Sequence, residues 1–214
     1  MRQRNIKHLD EKIAEVSKYL LDNPEELKGR WRETFGFPGS LELEIGCGKG
    51  QFIARKASDN PDNMYVAVEG QLNVLLRGLQ KADAGNLGNV AFFCRYIDSL
   101  NDFFEKGELD RIYLNFSDPW PKDRHYKRRL TYRDRLESCF DVLKDGGVIE
   151  FKTDNDGLFG FSMDEIKAMG YEILEYTEDL HASDYESRLT TTEYEDRFSQ
   201  KGKNINYVSF RRNR

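Results

Sequence analysis

Apolar positions along this chain recur with two periods. Leu9, Ile13, Val16 and Leu20 keep a spacing of three or four, which predicts a helix over residues 5–21, ended by Asn23-Pro24. Beyond it, short apolar runs alternate with helical stripes. LELEIG (41–46) reads as a first strand, followed by a glycine-rich turn and a helix from Gln51. MYVAVEG (64–70) is a second strand with a helix over 72–83, and NVAFFCRY (89–96) a third with a short helix over 99–105. RIYLNFSD (111–118) is a fourth. Thr131 with Asp134 forms a helix-start signature, and Tyr132, Leu136, Phe140 and Leu143 continue it at helical spacing. GGVIEFKTDN (146–155) is a fifth strand with a helix over 157–169, and YEILEYTEDL (171–180) and INYVSFRR (205–212) close the series.

Strands alternating with helices predict an α/β fold with a doubly wound, mostly parallel sheet. Near-continuous apolar strand cores suit a sheet covered on both faces. The 214 residues predict one domain, 31–214, with an N-terminal helical extension over 1–30.

Composition narrows the class. Hydrophobic residues make up 38% and charged residues 33%, a soluble globular balance with no apolar run near the ~20 residues of a membrane span. The opening MRQRNIKHLDEK has no apolar h-region, so a cytoplasmic protein is expected. Cys47, Cys94 and Cys139 are widely spaced and form no C-x-x-C pair, which argues against a disulfide framework and against a metal site. A net charge of −5 argues mildly against a nucleic-acid partner, but the distribution argues for one. Residues 122–135 hold seven Lys/Arg against two Asp. Arg2, Arg4 and Lys7 form a further candidate basic arm.

Acids fall at strand ends. Glu44 lies near the end of the first strand, Glu69 ends the second, and Asp118 and Asp154 follow the fourth and fifth. Open α/β sheets bind ligands at that edge. The loop EIGCGKG (44–50) has glycines at 46, 48 and 50. It lacks the hydroxyl that follows the lysine of a P-loop, and its spacing is not the G-x-G-x-x-G of dinucleotide folds. An acid before the glycines suits a cationic ligand and would repel pyrophosphate. E-x-G-x-G-x-G is similar to motif I of the Rossmann-like S-adenosylmethionine (SAM) methyltransferases, and Glu69, 23 residues after Gly46, is placed to take ribose hydroxyls.

NFSDPWPK (115–122), RHYKRRL (124–130), FKTDN (151–155) and TEYEDRF (192–198) then bring the chain close to one family. From about residue 40 onward it resembles the bacterial tRNA (guanine-N7)-methyltransferases. The resemblance implies a seven-stranded sheet with the last strand antiparallel, SAM as cofactor and methylation at N7 of a guanine in the tRNA variable loop. A monomer or homodimer without metal or membrane partner is expected. Carried over by position, Glu44, Gly46, Gly48, Glu69, Tyr96 and Asp118 would contact SAM, and Asp118 would be the catalytic residue. Lys122, Asp154, Thr192, Glu193, Tyr194 and Glu195 would bind substrate. Arg124, His125, Tyr126, Lys127, Arg128 and Arg129 would meet RNA. The chain departs from the family after strand three, where an acid is usual. Tyr96 stands there with Asp98 two residues on, so Tyr96, Ile97 or Asp98 would make the adenine contact.

Two other readings of the residues stay open at this point. One is a methyltransferase acting on an exocyclic amine, whose N-P-P-Y-type motif SDPWP interrupts. The other is a non-catalytic RNA-binding subunit on the same scaffold.

Overall fold

A computed structural model describes residues 6–199 and 202–213; Arg2 and Arg4 of the candidate basic arm lie outside them. Seven strands form one sheet: β1 (Leu41–Ile45), β2 (Met64–Glu69), β3 (Val90–Cys94), β4 (Leu109–Asn115), β5 (Leu143–Thr153), β6 (Glu172–Thr177) and β7 (Asn206–Arg211). Their order is β3-β2-β1-β4-β5-β7-β6. β1 to β5 run parallel, and β7 pairs antiparallel with both β5 and β6. The expected doubly wound sheet with an antiparallel last strand is the sheet observed.

The helices are α1 (Leu9–Glu15), α2 (Trp31–Phe35), α3 (Gln51–Asp59), α4 (Leu72–Ala84), α5 (Arg133–Val142), α6 (Asp156–Ala168) and α7 (Glu193–Ser199). The first predicted helix is shorter than its apolar period. It gives way to a 3₁₀ turn at Ser17–Tyr19 because the chain then joins the sheet edge. Leu20 bridges Phe92, the Leu21 N–H donates to the Phe92 carbonyl at 2.8 Å, and the Tyr19 hydroxyl donates to the Ala82 carbonyl at 3.0 Å. Thr131 is not the N-cap of α5. It is buried with its hydroxyl 2.7 Å from that of Ser162, and Tyr132 takes the cap position. The 3₁₀ turn at Pro24–Leu27 and the short helices α2 and α7 were not anticipated from periodicity, being too brief to show one.

Alternate residues of each strand face opposite sides of a sheet. One face is mainly apolar: Leu43, Val66, Phe93, Ile112, Leu114, Ile149, Phe151, Val208 and Phe210 pack against α2, α5 and α6, and Thr153 and Asn206 are its buried polar members on β5 and β7. The other face divides. Over β2 and β3, Tyr65, Ala67 and Phe92 pack against α1, α3 and α4. Over β1, β4, β5 and β7 the same face carries Glu42, Glu44, Asn115, Glu150, Lys152 and Ser209, all buried. The expectation of strands apolar on both faces therefore fails for this half of the sheet. The chain between β6 and β7 covers it, where Ser187 donates to Glu150 at 2.6 Å and Lys152 donates to the Ser187 carbonyl at 2.5 Å.

Candidate active site

The sheet order reverses direction between β1 and β4, and the crevice at that switch point is where ligands enter such folds. β1 delivers the glycine loop there. The N–H groups of Gly46 and Cys47 both donate to the Val68 carbonyl, at 2.8 and 2.9 Å, which turns the chain sharply off the strand. Gly46 and Gly48 have φ of 75° and 56°, a region that side chains disfavour. A Cβ built on either would meet no atom within 4 Å, so the loop backbone faces open cleft. Gly50 serves packing instead: its Cβ would stand 2.7 Å from the Cα of Gly78 on α4.

Glu44 is 1% exposed. Its Oε1 accepts from the Asn115 amide at 2.8 Å, while Oε2 has no partner. Burial pushes its carboxyl up to about 7, and the Asn115 bond opposes that rise. Asn115 Oδ1 and Ser117 Oγ are also buried without partners. Buried polar atoms are nearly always paired, so three orphans gathered at one strand edge point to a polar ligand. Glu69 is tied on both oxygens: Oε2 accepts from the Gly48 N–H at 3.2 Å and Oε1 from the Gln71 N–H at 3.0 Å. Cys47 beside them is buried, which pushes its thiol well up and keeps it neutral.

Two connected openings follow the switch point. The larger, about 710 Å³, is lined by Gly46, Gly48, Glu69, Tyr96, Ser117, Asp118 and Trp120 among others. The smaller, about 330 Å³, adds Glu44, Asn115, Thr192, Glu193, Tyr194 and Arg197. Both share Phe116. Their sizes fall in the range of small-molecule sites.

The Asp-Pro-Trp-Pro loop leaves β4 through strained backbone. Phe116 and Trp120 have φ of 51° and 43°, which costs a bulky residue about 1–3 kcal/mol and must be held by its surroundings. The Phe116 N–H is anchored on the Lys152 carbonyl at 2.9 Å. At the far end Arg129 donates to the carbonyls of Pro119 and Trp120, at 2.9 and 3.2 Å, and its guanidinium lies 4.4 Å from the centre of the Phe161 ring. Arg128 lies 4.9 Å over Trp120, whose edge meets His125. Asp118 is exposed at the cleft and accepts no hydrogen bond among the described residues.

The basic run 122–135 thus does two jobs. Arg129 braces the loop, Arg133 forms a bidentate pair with Glu165, and Arg135 holds the Ile97 and Asp98 carbonyls. Lys122, Arg124, Lys127 and Arg128 are exposed on a 3₁₀ segment, Asp123–Arg128, and its approach. The side chains of Lys122 and Lys127 make no hydrogen bond or ion pair among the described residues. After β3, Tyr96 is 79% exposed, with its ring against Gly70. The Asp98 carboxylate points to solvent and pairs with Arg135 at 3.2 Å.

The segment before β7 closes the other side. Tyr194 stacks between Phe116 and Phe198, and its hydroxyl donates to Asp154 at 3.2 Å. Glu193 pairs with Lys81 at 2.5 Å, and Lys81 also donates to the Lys49 carbonyl at 2.8 Å. Gln51 donates to Asp196 at 2.7 Å. Thr192 and Glu195 form a capping box: the Glu195 N–H donates to Thr192 Oγ1 at 2.9 Å, and the Thr192 N–H to Glu195 Oε2 at 3.4 Å. The structure therefore brings Glu44, Gly46, Gly48, Glu69, Tyr96, Asp118 and Thr192–Tyr194 to one strand-end cleft, with Asp154 tied to it through Tyr194. It buries Glu195 and leaves Lys122 and 124–127 outside on the rim, while Arg128, over Trp120, lines the larger opening. Sequence reading passed over Asn115, Lys152, Lys81 and Gln51. Asn115 and Lys152 stand inside quoted motifs, whereas Lys81 and Gln51 carry no local signal.

No group of three or more metal-ligating side chains occurs among the described residues, and no helix of the described chain is long and apolar enough to cross a membrane. Comparison with known proteins gives a consistent picture. The family described as "Putative methyltransferase" matches residues 39–208. A tRNA (guanine-N(7)-)-methyltransferase of Streptococcus uberis is 45% identical over 205 residues, 96% of this chain and 97% of the relative. One from Clostridioides difficile is 46% identical over 206 residues, 96% of each chain. Among solved structures, an antibiotic-related methyltransferase aligns with a TM-score of 0.62 at 18% identity, over 85% of this chain and 92% of the other. A 30S ribosomal A1408 methyltransferase from an uncultured bacterium aligns at 0.60 and 12%, over 86% and 93%. These share the Rossmann-like methyltransferase fold seen here. By near-full-length identity, the chain belongs to the tRNA (guanine-N(7)-)-methyltransferase family.

Proposed function

We propose that this enzyme methylates N7 of a guanine in the variable loop of tRNA, using S-adenosylmethionine. The observation that carries the reading is a cleft lined by the strand-end carboxylates Glu44, Glu69 and Asp118, with the exposed basic run 122–128 beside it. The residues present suit the cofactor. Glu44 offers an unpartnered carboxylate oxygen to an ammonium group, Glu69 stands beside the glycine loop for ribose hydroxyls, and Gly46 and Gly48 leave room for close approach. Tyr96, with Ile97 and Asp98, lines the end where an adenine would lie. When bound, SAM supplies a methyl carbon already activated by its sulfonium.

Guanine N7 carries a lone pair on the major-groove edge, so no base is needed to create the nucleophile. Alignment then supplies much of the rate, with an upper scale of about 7–11 kcal/mol. The methylated purine is cationic. Asp118 at the cleft acts by positioning and by stabilising that developing charge, which accords with its exposure and lack of a proton-relay partner. Asp154 and the Thr192–Glu195 segment enclose the base, and Lys122 contacts the substrate at the rim. Arg124, His125, Tyr126, Lys127 and Arg128 follow the phosphates, while Arg129 fixes the loop between them and the base. A protein of this kind works in the cytoplasm. A domain boundary near residue 30 is supported by Trp31, wholly buried in the larger core.

The test is product mapping. Incubation with labelled SAM and unmodified tRNA, followed by nucleoside digestion, is expected to place the label in 7-methylguanosine. Label on an exocyclic amine, or none in tRNA, overturns the reading.

A further inference from the structure

Lys152 lines neither opening of the cleft, yet it touches both of the loops that form it. It is 1% exposed and is the one buried lysine or arginine among the described residues. Burial pushes its ammonium below the usual lysine value. Removing a cation from water costs several kcal/mol unless it is well paired, so its bonds show what keeps it there. Nζ donates to the Ser187 carbonyl at 2.5 Å and the Thr190 carbonyl at 2.9 Å, and stands 3.7 Å from Glu195 Oε2. All three partners belong to the segment that leads into and starts α7. The backbone of the same residue serves the other loop, since its carbonyl receives the Phe116 N–H at the point where the Asp-Pro-Trp-Pro loop turns off β4. Asp154 follows two residues later and holds Tyr194.

Glu195 is the second half of the device. It is 0% exposed, burial pushes its carboxyl up, and Oε2 closes the capping box with Thr192. Oε1 lies 3.2 Å from His181 Nε2 but outside hydrogen-bond geometry, so it remains unsatisfied. A fully buried carboxylate between Lys152, His181 and its own helix cannot reach a base in the cleft. The exposed members of the segment, Tyr194 above all, can.

We propose that Lys152 is a positioning residue for the methyl transfer: through Glu195 and the Ser187 and Thr190 carbonyls it sets Thr192–Tyr194, and through its own carbonyl it sets the loop that carries Asp118. Glu195 acts through the helix it caps, while Thr192, Glu193 and Tyr194 line the cleft. This rests on the tRNA methylation reading given above.

The test pairs Lys152→Met with the double variant Lys152→Met, Glu195→Gln. Methionine keeps the length of the side chain and removes its charge and donors. The single variant leaves Glu195 buried without its cation and is expected to be the less stable; the double variant removes both charges and keeps the question answerable if the single one fails to fold. For the double variant, calorimetric titration is expected to give one SAM site per chain with Kd within twofold of wild type. Its kcat/KM on tRNA, per SAM-binding site, is expected to fall about 100-fold, the scale of a misplacement of about 1 Å. Hydrogen exchange is expected to rise in peptides covering 185–198 and stay unchanged in α4. Transfer within threefold of wild type, or a loss of SAM binding in step with activity, overturns the inference. A wild-type control that puts no label in tRNA overturns the function itself and the inference with it, whereas an active wild type confines any failure to the Lys152–Glu195 pair.

Discussion

Phe151 and Lys152 are neighbours on β5, and they face opposite sides of the sheet. Phe151 points into the larger core, 0% exposed and stacked 6.3 Å from Phe159. Lys152 points to the opposite face, equally buried, where its neighbours are Glu150, Glu195 and backbone carbonyls. The same contrast runs along β1 and β4: Leu43 against Glu44, Leu114 against Asn115. One face is packed for stability. The other is a buried polar layer that cannot be the best way to fill the space, because charged pairs there are usually no more stabilising than well-packed apolar residues. At Lys152 and Glu150 its hydrogen bonds run to the segment that leads into α7, and there it trades stability for placement.

Mutations on the two faces should therefore separate folding from chemistry. The largest effect on folding is expected from Phe151→Ala, which opens a cavity in the apolar face. Denaturant melts should show a loss of about 3–5 kcal/mol, with kcat per folded molecule little changed. Asp118→Ala is expected to leave the melt within about 0.5 kcal/mol, as for a surface change, and to lower kcat about 10²–10³-fold. A substantial stability loss with Asp118→Ala, or near-normal turnover, would erase the distinction.

Glu44 sharpens the comparison through pH. Its raised value of about 7 means that below this pH the carboxyl is protonated and cannot pair with a cationic ligand. SAM affinity is expected to be full above about pH 7 and to weaken towards tenfold per unit below it, because binding must then release a proton. The sign for stability of the free protein is opposite. A carboxyl raised by burial favours folding while protonated, and that advantage declines as pH rises from its unfolded value towards 7. Glu44→Gln should flatten the affinity profile in calorimetric titrations, and an unchanged profile would place the titrating group elsewhere.

The smallest expected effect is at the rim. Lys122→Ala with Lys127→Ala should weaken tRNA binding across sequences and reduce the salt slope of log K by about 1–2, with SAM affinity unchanged. Arg129→Ala should behave differently, lowering turnover as well, since Arg129 holds the Pro119 and Trp120 carbonyls.

Much of this was legible in the chain. Period alone gave the strand and helix succession, because each element on the apolar face repeats strongly. The acids at strand ends and the glycine loop marked the cleft, and the family motifs supplied the antiparallel last strand. The polar face was less legible. The E-x-E of LELEI and the E-x-K of VIEFK alternate as a half-exposed strand does, and only the fold shows that the 178–199 segment buries them. Thr192-Glu-Tyr-Glu195 followed the same course. The Thr-x-x-Glu spacing is a helix start as much as a substrate motif, and α7 is too short for periodicity to reveal. The N-terminal helix was overdrawn because Leu20 kept its period while its backbone joined the sheet edge.

The account centres on transfer to N7 by alignment, without a proton-abstracting base. The most direct measurement uses a tRNA carrying 7-deazaguanosine at the variable-loop guanine, a replacement of one ring nitrogen by carbon. Single-turnover assays should show tRNA binding within a few-fold of the unsubstituted molecule and no methyl transfer at that nucleoside. Transfer to the substituted nucleoside at an undiminished rate would contradict the account.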